Sequence, residues 1–151
     1  MLRKVFYILI LSSILTSCIS TKLTIKNIDD TAIRPKLIDH QTYRLVEKAT
    51  DKKYGYHPDY PVNLGFGLLD QREANQKKFL NALQGPSGEA ITYSHHGNCC
   101  PFPTNTSPLG SGMLDVYLIS WDTNQKPLTL YLNTYEKGEI LIPVGLTAKT
   151  K

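Results

Sequence analysis

The junction at Leu15-Thr16-Ser17-Cys18 decides how much of this chain is left to fold. Arg3 and Lys4 give a basic start, Val5 to Leu15 is mostly apolar, and small residues lead into the cysteine. A basic end, a short apolar run and small residues before a cut are the parts of a secretory signal. Here they end in a lipobox, the pattern at which bacteria attach lipid to the cysteine and remove the residues before it. The apolar run is too short for a stable spanning helix, which needs about 20 residues. The expectation is removal of residues 1–17, lipid on Cys18, and a folded part drawn from the rest of the chain. Acyl chains bury methylenes at about 0.8 kcal/mol each, so such an anchor would be effectively permanent. Ile19 stands where an aspartate commonly signals inner-membrane retention. The expected place is therefore the cell envelope, at the outer membrane, with the domain facing the periplasm or the surface.

From Cys18 onward 134 residues remain, enough for one domain with a real core. The whole chain has 17 basic and 13 acidic side chains, and losing Arg3 and Lys4 leaves a net charge of +2. That bias is too weak for a nucleic-acid partner, and none is expected. The expected partners are the membrane, through the lipid, and another envelope protein. Eight of the nine tyrosines lie beyond the junction, and Tyr54, Tyr56 and Tyr60 fall close together. Their apolar bodies and polar tips suit half-buried strands and loops more than a ligand platform.

Residues 18–40 read as the attachment cysteine and a polar tether, with a short strand at Leu23 to Ile25, and residues 41–148 as a single domain. Thr42 to Lys48 is strand-like, and Lys52 to Gly67 is a Pro-, Gly- and Tyr-rich loop or edge segment. Asp70 to Gln84 is the best helix, with Asp70 and Glu73 as a capping pair. Ala74, Phe79, Leu80 and Leu83 give it a narrow apolar stripe, and Gly85-Pro86 stops it. Strands are expected at Ala90 to Ser94, Met113 to Trp121, Leu128 to Asn133 and Glu139 to Val144. In the second of these, Leu114, Val116 and Leu118 share one face, and Asp115, Tyr117, Ile119 and Trp121 the other. The turn residues of Asp122 to Lys126 make a hairpin with the next strand. The fold class is α+β, a small antiparallel sheet of four or five strands with one main helix on a face.

The densest chemistry lies in His95-His96-Gly97-Asn98-Cys99-Cys100-Pro101-Phe102-Pro103, read as a loop after a strand. Three readings remain open. Imidazole and thiolate suit zinc or copper, yet adjacent side chains on extended backbone point to opposite faces. His96 with Cys99 or Cys100 is the better pair, with a further ligand such as His57 needed from elsewhere. The second reading is a vicinal disulfide, favoured by an oxidising compartment. It would be strained, because trans neighbours sit about 3.8 Å apart and relaxed disulfides span about 4.4 Å or more. The third is two reduced, partly buried cysteines packing as small hydrophobes. Gly65-Phe66-Gly67 matches no dinucleotide fingerprint, and Asn105-Thr106-Ser107 is a chance sequon.

Several segments, taken together, resemble a family of small bacterial lipoproteins. They are Asp51-Lys52-Lys53-Tyr54-Gly55-Tyr56, Lys78-Phe79-Leu80-Asn81-Ala82-Leu83 with Gly85-Pro86, and Cys99-Cys100-Pro101-Phe102. Leu114-Asp115-Val116-Tyr117, Leu130-Tyr131-Leu132-Asn133 and Pro143-Val144-Gly145 complete the set, which covers most of residues 43–147. Some members of that family carry the label 2-dehydro-3-deoxyphosphooctonate aldolase. Such an aldolase would be a β/α barrel of about 250 residues. Here alternating strand–helix units, a phosphate cradle and a Schiff-base lysine are all missing, so that activity is not expected and no catalytic residue carries over. The leading expectation is a non-catalytic interaction or structural module with no cofactor. Its competitor is a redox- or metal-responsive protein using His95, His96, Cys99 and Cys100, and a small enzyme comes third.

Overall fold

The computed structural model describes residues 24–124 and 126–150. Cys18, the expected signal before it and Leu23 of the expected short strand lie outside the described residues. Among those described, no helix is long and apolar enough to cross a membrane. The elements run β1 (Leu37–Asp39), β2 (Thr42–Tyr43), β3 (Val62–Asn63), a 3-10 turn (Leu69–Gln71) and α1 (Arg72–Ala82). They continue with β4 (Leu83–Gln84), β5 (Thr92–Pro103), β6 (Ser111–Ser120), β7 (Leu128–Asn133) and β8 (Thr147–Ala148).

The α+β class holds, but the main sheet is mixed where an antiparallel one was expected. Its order is β3-β7-β6-β5, and β3 runs parallel to β7. The β6–β7 hairpin forms as expected, in the register Asp115 to Leu132 through Ile119 to Leu128. Asn124 ties its turn, accepting from the Trp121 amide at 2.9 Å and donating to the Lys126 carbonyl at 2.8 Å. β1–β2 and β4–β8 are separate two-stranded ladders.

The helix is shorter than the pattern suggested. Gln71 is its N-cap and makes no side-chain capping bond, so the Asp70–Glu73 capping pair does not form. Glu73 instead pairs with Lys77 one turn on, at 2.7 Å. Ala74 is exposed, and the buried side is Asn75, Gln76, Phe79, Leu80 and Ala82. Two amides on the inward face blur the apolar period, which is why the stripe looked narrow and displaced. Leu83 leaves the helix in extended conformation because β4 pairs with β8, ahead of Gly85. The left-handed glycine is Gly88 (φ +88), whose amide closes a turn onto the Gly85 carbonyl at 3.0 Å.

Three further expectations are corrected. Glu139 to Val144 is not a strand; Ile140 and Ile142 are buried there, and Ile142 makes only an isolated bridge with Lys48. No strand forms at Ile25, and the stretch from there to Ala32 packs against the domain and is not a tether. Ile25 is buried, the Lys26 amide donates to the Asp59 carbonyl, and the Asp29 amide donates to that of Lys137. Finally, the segment His95 to Pro103, expected as a loop, is the greater part of β5.

The core is one large cluster with a satellite. Tyr43, Leu64, Phe79, Leu80, Ile119, Leu130 and Leu132 are fully buried in the first. Ile25, Phe102 and Leu114 form the second, with Cys99, Cys100, Tyr131 and Tyr135 against it. On β6 the large core therefore takes Tyr117 and Ile119, and Leu114 points the other way into the satellite.

Candidate functional site

β5 is the outer strand of the main sheet and its register slips twice against β6. His95 faces Tyr117 and Gly97 faces Val116, so His96 is one residue too many. A bulge of this kind shifts the two-residue alternation by one. In an unbroken strand His95 and Asn98, three apart, would point to opposite faces. After the slip both reach Asp115 Oδ1, His95 Nε2 at 3.2 Å and Asn98 Nδ2 at 2.6 Å. Gly97 carries the kink at φ +131, a backbone region that a side chain would strain.

The second slip lies between Cys99 and Phe102. Cys99 and Cys100 are joined as a vicinal disulfide across a trans peptide, Cα to Cα 3.7 Å. Neighbours in a regular strand point apart, so the bond requires that the alternation break between them. It breaks at Cys100, which sits at φ +59, the one non-glycine residue with positive φ among those described. Pro101 and Pro103 lack an amide hydrogen and sit on a strand whose outer edge has no partner among the described residues. The slip also puts Cys99 and Phe102 on the same side, against Leu114.

Across from β5 and β6 stands α1. Gln76 is buried, donates through Nε2 to Asp115 Oδ2, and accepts from the Tyr117 hydroxyl at 3.0 Å. Asp115 thus has donors on both oxygens, from a helix and from two points of one strand. Tyr117 stacks edge-on with His95 at 5.1 Å and with Tyr93 at 6.2 Å. Burial pushes the Tyr117 hydroxyl up to about 12, with the negative charges of Asp115 and Glu73 and the nearby Tyr93 adding to it. Arg72, at the start of α1, lays its guanidinium 4.0 Å from the centre of the Tyr135 ring. Between these walls runs an open groove of about 450 Å³, lined also by Glu73, Met113 and Thr134.

The reactive cluster expected in the sequence is divided by this arrangement. His95 belongs to the groove; His96 is exposed in the bulge; Cys99 and Cys100 are bonded to each other on the satellite side. His57 accepts from the Asp59 amide at 3.2 Å, in another part of the fold. Among the described residues no three His, Cys, Asp or Glu side chains converge as a metal would need. Gly65-Phe66-Gly67 is a structural corner, where the Phe66 carbonyl accepts from Arg34 and Asn75. Asp115, Gln76, Asn98, Tyr117 and Arg72 were not singled out from the sequence. The available sign was Asn75-Gln76 on the inward side of an otherwise apolar helix face. No protein-family model matches the chain, and no curated protein or solved structure does either.

Proposed function

We propose that the chain is a lipid-anchored envelope protein whose domain binds a partner in the groove between α1 and the β5–β6 pair, without chemistry on it. The lipobox at Cys18 and the resemblance to small bacterial lipoproteins support the anchor. The observation that carries the binding role is the set of groups locked on Asp115. Gln76, His95 and Asn98 all spend a donor on its carboxylate, which holds the wall of the groove in one arrangement. A carboxylate so saturated is a poor general base, and among the described residues no serine or free thiol lines the groove beside His95. Side chains already held in one arrangement are what a preformed binding site offers. The aldolase label is not part of this reading, because a mixed four-stranded sheet with one α-helix among the described residues is no β/α barrel.

Two measurements test it. Cys18→Ser is expected to abolish incorporation of labelled palmitate and to move the protein from the membrane to the soluble fraction. A photoreactive residue at Met113, on the groove wall, is expected to cross-link a discrete envelope component, and the same residue at exposed Val46 is not. Persistent membrane attachment by a chain without lipid, or equal cross-linking from both positions, removes the proposal.

A second reading, redox response, is favoured by one observation: the disulfide begins one residue after Asn98. A dithiol reductant would pass two electrons and two protons to Cys99 and Cys100 and leave as its own disulfide. Mild dithiothreitol at neutral pH is then expected to shift the amide resonances of Asn98 and Asp115. Unchanged resonances after complete reduction exclude this reading.

A further inference from the structure

We infer that Arg72 makes the groove a receptor for a peptide carboxyl terminus, an α-carboxylate with an acylated N–H beside it. This rests on the groove being the binding face, and not on the lipid anchor. Three groove residues carry full charges: Arg72, Glu73 and Asp115. Glu73 is matched by Lys77 at 2.7 Å. Asp115 has both oxygens occupied by its three donors, so neither is open to a ligand. Arg72 takes part in none of the ion pairs among the described residues, which join Lys26 and His57 to Asp59, Lys77 to Glu73 and His95 to Asp115. Its neighbour is the Tyr135 ring, whose centre lies 4.0 Å from the guanidinium carbon, and no described acceptor bonds its N–H edge.

That edge is a planar fork, and it fits the two oxygens of a carboxylate with parallel hydrogen bonds. With the Glu73 and Asp115 carboxylates in the same groove, a phosphate dianion would meet more repulsion than a carboxylate monoanion. Asn98 then reads the next atom. Its amide nitrogen is committed to Asp115, and its Oδ1 makes no hydrogen bond to a described residue, so it can accept from the ligand's N–H. Met113, 43% exposed, and the rim of Tyr135 offer apolar surface for the terminal side chain. A groove of about 450 Å³ holds a dipeptide, within the roughly 300–1,000 Å³ of small-ligand sites.

Titration calorimetry of the full chain in detergent micelles tests this, with N-acetyl-alanyl-alanine in its L,L and D,D forms as probes. The expected result is one-site binding of at least one form, with its C-terminal amide at least tenfold weaker. Arg72→Gln and Arg72→Lys are both expected to weaken the acid at least tenfold, since lysine keeps the charge and loses the fork. A preference for L,L points to protein tails, and for D,D to cell-wall peptides. The inference is overturned if acid and amide bind alike, if neither form binds, if inorganic phosphate binds as tightly, or if both Arg72 variants bind like the parent. The acid–amide comparison needs no variant, so it decides even where a substitution unfolds the chain. Cross-linking from Met113 together with indifference to both dipeptides would leave the binding role standing and remove this ligand class.

Discussion

Tyr54 holds two distant stretches of chain through one oxygen. Its hydroxyl donates to the Glu139 carbonyl and accepts from the Leu141 amide, both at 3.0 Å, and the residue is 5% exposed. Those bonds keep residues 139–141 in place without a strand, which alternation alone had suggested there. Tyr54→Phe leaves a buried amide unsatisfied, so equilibrium urea unfolding is expected to show a loss of about 1–3 kcal/mol. Tyr117 gives a pH signature. Burial, ahead of the neighbouring negative charges, raises its hydroxyl from the ordinary 10.0 to about 12. The fold therefore favours the neutral phenol. That stabilisation is complete below pH 10 and is lost as pH rises from 10 through 12. Calorimetric Tm between pH 9 and 12 is expected to fall less steeply for Tyr117→Phe than for the parent, and equal slopes would contradict the assignment. The packing role expected of the tyrosines is met at Tyr43, Tyr54, Tyr56, Tyr93 and Tyr117, each with its hydroxyl bonded.

β5 is the element where alternation misleads most. Its two bulges reverse which side chains share a face, so His95 and Asn98 meet at Asp115 and Cys99 and Phe102 meet at Leu114. Single-strand parity forecasts neither pairing, because a bulge exists only relative to the partner strand. The disulfide serves this local shape more than overall stability. Closing a two-residue loop removes little unfolded-state entropy, roughly 1 kcal/mol by the chain-entropy relation. Cys99→Ser with Cys100→Ser is expected to lower global stability in urea by about that much or less. A loss several times larger would make the bond a staple of the whole domain. Gly112, opposite Phe102 on β6, is a second constraint on the same hairpin. An added Cβ would stand 2.8 Å from both the Phe102 and Tyr135 rings. Gly112→Ala is therefore expected to cost about 1–3 kcal/mol through overpacking, read from denaturant midpoints. The helix was legible in existence and in its Phe79 and Leu80 contacts, but not at its ends. The 3-10 turn at Leu69–Gln71 displaces its start, and β8, 64 positions after Leu83, sets its exit.

The molecule is closed by pairings between distant parts of the chain. β3 joins β7 in parallel, and behind the ladder Asn133 donates to Asn63 Oδ1 at 2.8 Å while Asn63 donates to the Asn27 carbonyl at 2.7 Å. Asn27 in turn donates to the Pro61 carbonyl at 2.7 Å. The stretch from Ile25 to Asp29 is thus part of the domain, sealing the edge of the sheet at β3. A chain begun at Arg34 loses the burial of Ile25, about 1.5–3 kcal/mol for a large aliphatic side chain, and several hydrogen bonds of about 1 kcal/mol net each. Urea unfolding is expected to show at least about 3 kcal/mol less stability than for a chain begun at Ile19. Equal stability would restore the tether reading for this stretch. Residue order alone was enough for the α+β class, the β6–β7 hairpin, the main helix and the ordered tyrosine-rich loop. Those features depend on period and turn chemistry, which act between near neighbours. The parallel β3–β7 pair, the sealing N-terminal stretch and the groove around Asp115 and Arg72 were settled only by tertiary structure. Each joins side chains far apart in the chain, and which face a strand residue shows depends on register against a neighbour that no local pattern encodes.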